Sequence, residues 1–128
     1  MFGQELSIIV ELIDDDGWTD LEYPTDKQSS IFKWFKEDLL NIKALISSSI
    51  FDHYNNQLSE LRDAWGYEAD VNAPVLSNEN EIWKLLKLSN VLISGGWFNA
   101  LFISLEVSWN PEHGITIMFE NGKLIQIE

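Results

Sequence analysis

A long segment without helix breakers limits most strongly what this chain can fold into. Residues 25–65 contain neither proline nor glycine. Apolar residues recur through this segment at the three- and four-residue spacing of one helix face, at Ile31, Phe35, Leu39, Ile42, Ile46, Ile50, Tyr54, Leu58, Leu61 and Trp65. Thr25 followed by Gln28 predicts a capping box at the start of a helix. The sequence therefore predicts a long helix that needs a broad apolar partner.

This helix is not expected to be straight. On a helical wheel the apolar stripe moves to another face near Ser47, Ser48 and Ser49. A straight helix over residues 25–65 would also run about 60 Å, which is longer than a compact domain of this size is wide. We therefore expect a bend or break at these serines.

The segment before the helix favours strands. Within residues 6–12 the apolar Leu6, Ile8, Val10 and Leu12 alternate with Ser7 and Glu11, which predicts a strand with one buried face. A second short strand is predicted at residues 18–23, and the Asp- and Gly-rich residues 14–17 are typical of the turn between two strands. The N-terminal segment is thus predicted to form a hairpin.

The segment after the helix is predicted to contain a short helix and then strands. Ser77 or Asn78 is the predicted N-cap of the short helix, which contains Ile82, Trp83, Leu85 and Leu86 and ends before Ser89. Strands are predicted at residues 91–94 and 101–109, separated by a turn at Gly95 and Gly96.

A second hairpin is predicted at the C-terminus. Asn121-Gly122 lies between the predicted strands at residues 115–120 and 123–128, and this dipeptide favours a two-residue type I′ turn because both positions need positive φ. Such a turn places Glu120 opposite Lys123, Phe119 opposite Leu124 and Met118 opposite Ile125.

Together these elements predict a single domain over residues 1–128 of the α+β class. We expect a largely antiparallel sheet made of the N-terminal hairpin and four C-terminal strands. The long, bent helix and the short helix are expected to pack on one face of this sheet.

Charge restricts the partners that this fold can bind. The chain has 21 Asp and Glu against 8 Lys and Arg, a formal net charge of -13. A surface this negative repels nucleic acid and anionic lipid, and it accelerates encounter with a basic protein. The chain lacks cysteine, a basic start and any apolar run near the roughly 18 residues of a membrane span. We expect a cytoplasmic protein that binds neither membrane nor nucleic acid.

The densest group of charges lies in the predicted N-terminal turn. It consists of Asp14, Asp15, Asp16, Asp20 and Glu22, which surround Trp18. These residues could form a solvated turn, a docking surface for a partner or a metal site. The calcium-loop pattern fails, because aligning Gly17 with its invariant glycine places Leu12 at the first ligand and Tyr23 at the bidentate glutamate. We predict no metal site here, and no cofactor.

Catalysis has little support in the sequence. His53 and His113, with Lys84 or Lys123, could be imagined as an acid and base of a ribonuclease-like enzyme. Such an enzyme must attract a polyanion, which the net charge opposes. The sequence contains no Gly-x-Ser-x-Gly elbow, His-Glu-x-x-His motif or phosphate loop. We therefore predict no catalytic residue.

Tryptophan is abundant, with six residues in 128 positions. Trp34 and Trp83 fall in predicted helices and are expected in the core. Trp18, beside the acidic turn, and Trp97, beside two glycines, are better placed for exposure, and exposed tryptophans are frequent anchors of protein interfaces.

One motif near the C-terminus is Trp109-Asn110-Pro111-Glu112-His113-Gly114, which is followed by an apolar strand and the Asn121-Gly122 hairpin. This motif resembles a C-terminal signature of a bacterial family of uncharacterised small domains. Members of this family are similar in size and organisation to immunity proteins of polymorphic toxin and contact-dependent growth inhibition systems. The resemblance extends over residues 25–128, and its specific part is the C-terminal third. It implies no catalytic residue, and Trp109, Glu112, His113 and Gly114 are expected to shape a turn.

The sequence thus predicts a non-enzymatic, acidic immunity protein that neutralises a cognate basic toxin domain, with a nuclease as the expected toxin. The partner-binding residues would be Asp14, Asp15, Asp16, Trp18, Asp20, Glu22 and Trp97. Two alternatives remain open: a small metal- or histidine-dependent hydrolase, and an adaptor subunit of an unrelated complex.

Overall fold

The computed structural model describes residues 8–14, 16–17 and 19–128. In this part of the chain five strands form one sheet in the order β1-β2-β3-β4-β5, with β1 parallel to β2 and the other neighbours antiparallel. The strands are β1 (Ile8–Val10), β2 (Leu86–Ile93), β3 (Leu101–Val107), β4 (Ile115–Glu120) and β5 (Lys123–Ile127). The helices are α1 (Asp26–Glu37), α2 (Leu39–Trp65) and α3 (Ala69–Asn72), with 3₁₀ helices at Gly66–Glu68 and Glu79–Leu85. The predicted α+β class with a largely antiparallel sheet is confirmed.

The core lies between one face of the sheet and the helices. Inward side chains alternate along β3 and β4, where Leu101, Ile103 and Leu105 are buried together with Ile115 and Ile117. From the helices this core receives Phe35, Ile42, Ile46, Ile50 and Tyr54. None of the helices in the described part is long and apolar enough to cross a membrane.

The start of α1 follows the predicted capping box. Thr25 Oγ1 accepts from Gln28 N, and Gln28 Oε1 accepts from Thr25 N, both at 3.1 Å. The buried Gln28 also uses its Nε2 to donate to Glu11 O at 2.7 Å and to Ser94 O at 3.0 Å. This side chain therefore caps the helix and also connects it to the segments that follow β1 and β2.

This cap provides a local test of stability. The substitution Thr25→Ala removes the acceptor for Gln28 N, and we expect it to lower the free energy of unfolding by about 1 kcal/mol. Urea denaturation monitored by circular dichroism measures this difference. Ser29→Ala is the matched control, since Ser29 is exposed on the same helix and its side chain makes no hydrogen bond in the described structure. An equal loss in both variants would contradict a capping role.

Of the bend or break predicted at Ser47, Ser48 and Ser49, the break is wrong, because α2 runs through these serines as one helix, and the bend stays a prediction. The helices separate instead at Asp38, whose φ of -111° and ψ of 23° leave the helical region. Ser47 lies inside α2, where its Oγ donates to Lys43 O at 2.8 Å and accepts from Trp83 Nε1 at 2.7 Å. The serine hydroxyl is satisfied within the helix and by a packed neighbour, so the helix has no reason to end there.

The moving apolar stripe has a different explanation. The buried residues Ile42, Ile46, Ile50 and Tyr54 follow one another at four-residue intervals. Each such step advances about 40° beyond one full turn, so the buried stripe winds gradually around a continuous helix. The division at Asp38 shortens α2 to 27 residues, or about 40 Å.

The predicted N-terminal hairpin is present only as a loop with an isolated bridge. Ile13 bridges Asp20, but residues 21–23 form no strand, and β1 finds its strand partner in β2, where Ile9 lies opposite Leu92. The apolar face of β1 is buried better beside β2 than it would be beside the exposed Asp20 and Glu22. Leu6 and Trp18, which the prediction also used, lie outside the described residues.

The predicted short helix is a 3₁₀ helix. Its N-cap is Asn78, one of the two predicted N-caps, which forms a capping box with Glu81. The prediction was wrong to include Leu86, because this residue begins β2 and lies opposite Val107.

The Asn121-Gly122 hairpin is confirmed. The φ values are 52° at Asn121 and 76° at Gly122, and the pairs Glu120–Lys123 and Phe119–Leu124 form as predicted. The predicted pairing of Met118 with Ile125 is wrong, since a bulge at this point places Met118 opposite Gln126. The extra residue lets Ile127 reach the buried register opposite Ile117.

Candidate functional site

Two loops meet at one end of the sheet and carry most of the residues predicted to bind a partner. We call them the acidic loop, residues 13–22, and the tryptophan loop, residues 94–100. Gly96 N donates to Ile13 O at 2.9 Å, and Gly95 N donates to the Glu11 carboxylate at 2.9 Å. A Cβ on Gly95 would lie 2.3 Å from Glu11 O, so this close approach needs glycine.

The acidic loop contains carboxylates of two kinds. Asp16 builds the turn, because its Oδ1 accepts from Thr19 N at 2.9 Å and its Oδ2 accepts from Thr19 Oγ1 at 2.6 Å. Asp20 and Glu22 are exposed, and within the described chain neither side chain has a hydrogen bond or ion pair. Asp14 contributes to the loop through its backbone, because its N donates to Thr19 O at 2.8 Å. Asp20 and Glu22 are thus the carboxylates left for a partner.

Trp97 is presented by the tryptophan loop. Its side chain is 78% exposed and touches Phe98, with ring centroids 5.8 Å apart. The structure therefore brings the loop that carries Trp97 against the loop that carries Asp14, Asp16, Asp20 and Glu22. Asp15 and Trp18 lie outside the described residues.

The Trp109 to Gly114 motif divides into buried and exposed parts. Trp109 is buried, its ring centroid lies 4.6 Å from that of Tyr54, and its carbonyl accepts from Trp65 Nε1 at 3.2 Å. Gly114 has a φ of +64° and donates to Asn110 O at 2.9 Å. Glu112 and His113 are exposed, and their side chains make no hydrogen bond in the described structure. Trp109 and Gly114 therefore hold the turn, and Glu112 and His113 lie on its surface.

Tyr54 connects this motif to the chain beyond α2. Its hydroxyl donates to Pro74 O at 2.6 Å, and burial raises the pKa of Tyr54 to about 12, with Arg62 acting weakly in the opposite direction. Arg62 secures the same segment, since its Nη1 donates to Ala73 O at 2.8 Å and its Nη2 to Asp70 at 2.7 Å.

The raised pKa of Tyr54 predicts a loss of stability at alkaline pH. A tyrosine in an unfolded chain has a pKa near 10, so the folded state holds this proton more tightly. The resulting contribution of Tyr54 to the free energy of unfolding is complete below pH 10 and is lost between about pH 10 and 12. We expect the free energy of unfolding to fall over this range more steeply in the native protein than in Tyr54→Phe, as measured by urea denaturation at each pH. Parallel curves would contradict this assignment.

The histidines show no catalytic arrangement. His53 lies in α2, where its Nε2 is 3.2 Å from Gln57 Nε2, and no hydrogen bond joins either histidine to the acidic loop in the described structure. Among the described residues no group of three or more His, Asp and Glu side chains could hold a metal ion.

Two features were missed by sequence reasoning. After α2, residues 66–76 expose Tyr67, Val71 and Val75 among acidic side chains, and Tyr67 is 96% exposed. The signal in the sequence that could have indicated this surface was an aromatic residue, Tyr67, within an irregular acidic stretch. The second feature is a cleft of about 410 Å³ beside α1, which includes Trp34 and Asn99. Nothing in the sequence indicates that these two residues meet.

The fold and its surface define a small α+β domain whose candidate site is an interaction surface of exposed carboxylates and an exposed indole. A family model described as a domain of unknown function (DUF6985) matches residues 1–128, and the chain belongs to that family. No curated protein and no solved structure matches the chain. The family description assigns no activity, so the similarity in size and organisation to immunity proteins stays a prediction.

Proposed function

We propose that this protein is a non-enzymatic, cytoplasmic immunity protein that binds and neutralises a cognate basic toxin domain, with a nuclease as the expected toxin. The observation that carries the proposal is the junction of the acidic loop with the tryptophan loop. This junction combines Asp20 and Glu22, whose carboxylates have no partner in the described chain, with the largely exposed indole of Trp97.

Charge would supply the speed of association. A net charge of -13 attracts a cationic protein over long distances, and such steering raises association rates by one to three orders of magnitude. The same field repels phosphate backbones, so an RNA or DNA substrate is disfavoured. An inhibitor of a nuclease would need carboxylates where the substrate phosphates bind, and Asp20 and Glu22 are free to take that position.

Affinity would come from a few desolvated anchors. Trp97 would be one, and a second apolar area lies on the face of the sheet opposite the helices. There Ile9, Leu92, Phe102 and Met118 form a row across neighbouring strands, in which Ile9 is 51% exposed and the other three are partly buried. Two of the strands that carry this row, β2 and β3, also flank the tryptophan loop.

The test begins with the protein as bait in extract from its source cells, washed at low and then high salt. Mass spectrometry identifies the retained proteins, and the purified candidate is assayed for nuclease or other toxic activity with and without an equimolar amount of this protein. A basic domain whose activity is lost at a 1:1 ratio would support the proposal. A partner with no activity to block, or no partner at all, would contradict the immunity function.

Paired charge variants then locate the surface. Asp20→Asn with Glu22→Gln removes two charges from the acidic loop, and Glu60→Gln with Asp63→Asn removes two from exposed positions on α2. Both proteins have the same net charge. We expect the first pair to slow association, measured by surface plasmon resonance, more than the second, since rim charges act mainly on the association rate. Equal effects would indicate that net charge alone matters.

A further inference from the structure

The cleft beside α1 has the features of a small-molecule site. It lies between the first turns of α1 and the Asn121-Gly122 turn, and its volume of about 410 Å³ falls within the range of ligand pockets. Ile31, Trp34 and Phe119 form its apolar wall, and Lys27, Ser30 and Asn99 supply polar groups.

Asn99 presents a fixed hydrogen-bond acceptor there. The residue is 9% exposed, and its Nδ2 donates to Ser94 O at 2.8 Å and to Gly96 O at 3.4 Å. These two carbonyls determine the orientation of the amide, and no group in the described chain donates to Oδ1. Asn99 is one of the residues that line the cleft, so this amide oxygen is the acceptor that it offers to a bound molecule there.

Trp34 and Lys27 add an aromatic surface and a cation. The Trp34 and Phe119 rings lie 5.7 Å apart at 56°, and the described chain provides no acceptor for Trp34 Nε1. Lys27 is exposed and has no ion pair within the described residues.

We propose that this cleft binds a small planar aromatic anion that carries a ring N–H. The ring would pack against Trp34 and Phe119, the N–H would donate to Asn99 Oδ1, and the anionic group would pair with Lys27 Nζ. Aromatic contact, a hydrogen bond to a preoriented acceptor and a charge-assisted contact then each contribute to recognition. This cleft borders the proposed partner surface, because Asn99 belongs to the tryptophan loop, but neither Trp97 nor a described carboxylate of the acidic loop lines it.

Three related probes test the chemistry on the full-length protein. Indole-3-acetate has all three features, 1-methylindole-3-acetate lacks the N–H donor, and indole-3-acetamide lacks the charge. We expect indole-3-acetate to shift the indole N–H signal of Trp34 and the amide signals of Asn99 in ¹H–¹⁵N spectra. Each of the other probes should bind about tenfold more weakly. Absence of shifts at millimolar probe, or equal binding of all three, would overturn the proposal.

Variants of the cleft separate its contributions. Lys27→Met should abolish the preference for the acid over the amide, whereas Lys36→Met should leave it unchanged, because Lys36 on the same helix lies over Phe32 instead. Ser30→Phe places a ring in the cleft at an exposed helix position and should eliminate binding without unfolding the protein, which circular dichroism would verify. A preference for the acid that persists in Lys27→Met would contradict the assigned contact.

Discussion

Replacing Gly114 with alanine is expected to lower the free energy of unfolding by about 3 kcal/mol. Two effects combine at this position. The φ of +64° strains any residue with a Cβ, and the added Cβ would lie 2.3 Å from Leu105 O, far inside contact distance. Because Leu105 O belongs to the central strand β3, relief requires movement of the sheet or of the turn, which adds the cost of overpacking.

Gly17→Ala is the control for this prediction. Gly17 has a similar φ of +77°, but an added Cβ would meet no described residue beyond its chain neighbours within 4 Å, so we use this variant to measure backbone strain. We expect it to cost about 1 kcal/mol. Urea denaturation of both variants measures the difference. If Gly114→Ala were no more destabilised than Gly17→Ala, the close approach to Leu105 would not be what makes glycine necessary in the Trp109 to Gly114 motif.

Replacing Trp97 with alanine is expected to weaken binding to the basic partner by about 30-fold or more, with the stability unchanged. A desolvated tryptophan at the centre of an interface contributes about 2 kcal/mol or more, and each 1.4 kcal/mol corresponds to a factor of ten in affinity. The side chain is 78% exposed in the free protein, so its removal leaves no cavity in the core. Isothermal titration calorimetry with the purified partner measures the affinity, and thermal denaturation measures the stability.

Tyr67→Ala provides the matched comparison. Tyr67 is a still more exposed aromatic residue, at 96%, but it lies beyond the end of α2 in residues 66–76. We expect this variant to bind with native affinity. The reverse pattern, in which Tyr67→Ala weakens binding and Trp97→Ala does not, would move the interface to the surface of Tyr67, Val71 and Val75.

The elements predicted most accurately depend on interactions between close neighbours in sequence. The capping boxes of Thr25 with Gln28 and of Asn78 with Glu81 each join residues three positions apart. The Asn121-Gly122 turn depends on the φ values that its own two residues adopt. Such contacts form in the same way in many folds, so a local pattern is sufficient to recognise them.

The incorrect predictions concern choices between competing partners. The edge of β1 could pair with residues 18–23 or with β2, and the apolar surface available at β2 decided the outcome. Ser47 could have ended a helix, but Trp83 Nε1, 36 positions further along, donates to its hydroxyl inside α2. The bulge at Met118 likewise places the partly buried Ile127 opposite the buried Ile117.

The candidate sites also combine features that the local sequence determines with features that depend on distant contacts. The sequence alone determined the net charge, the dense carboxylates of the acidic loop and the exposure expected of Trp97 beside two glycines, because composition and local turn chemistry carry that information. Only the tertiary structure joined Gly95 and Gly96 to Glu11 and Ile13, and only it placed Asn99 in one cleft with Trp34. These residues are far apart in the chain, and their meeting depends on how β1, α1 and the loop between β2 and β3 bury their apolar surfaces together.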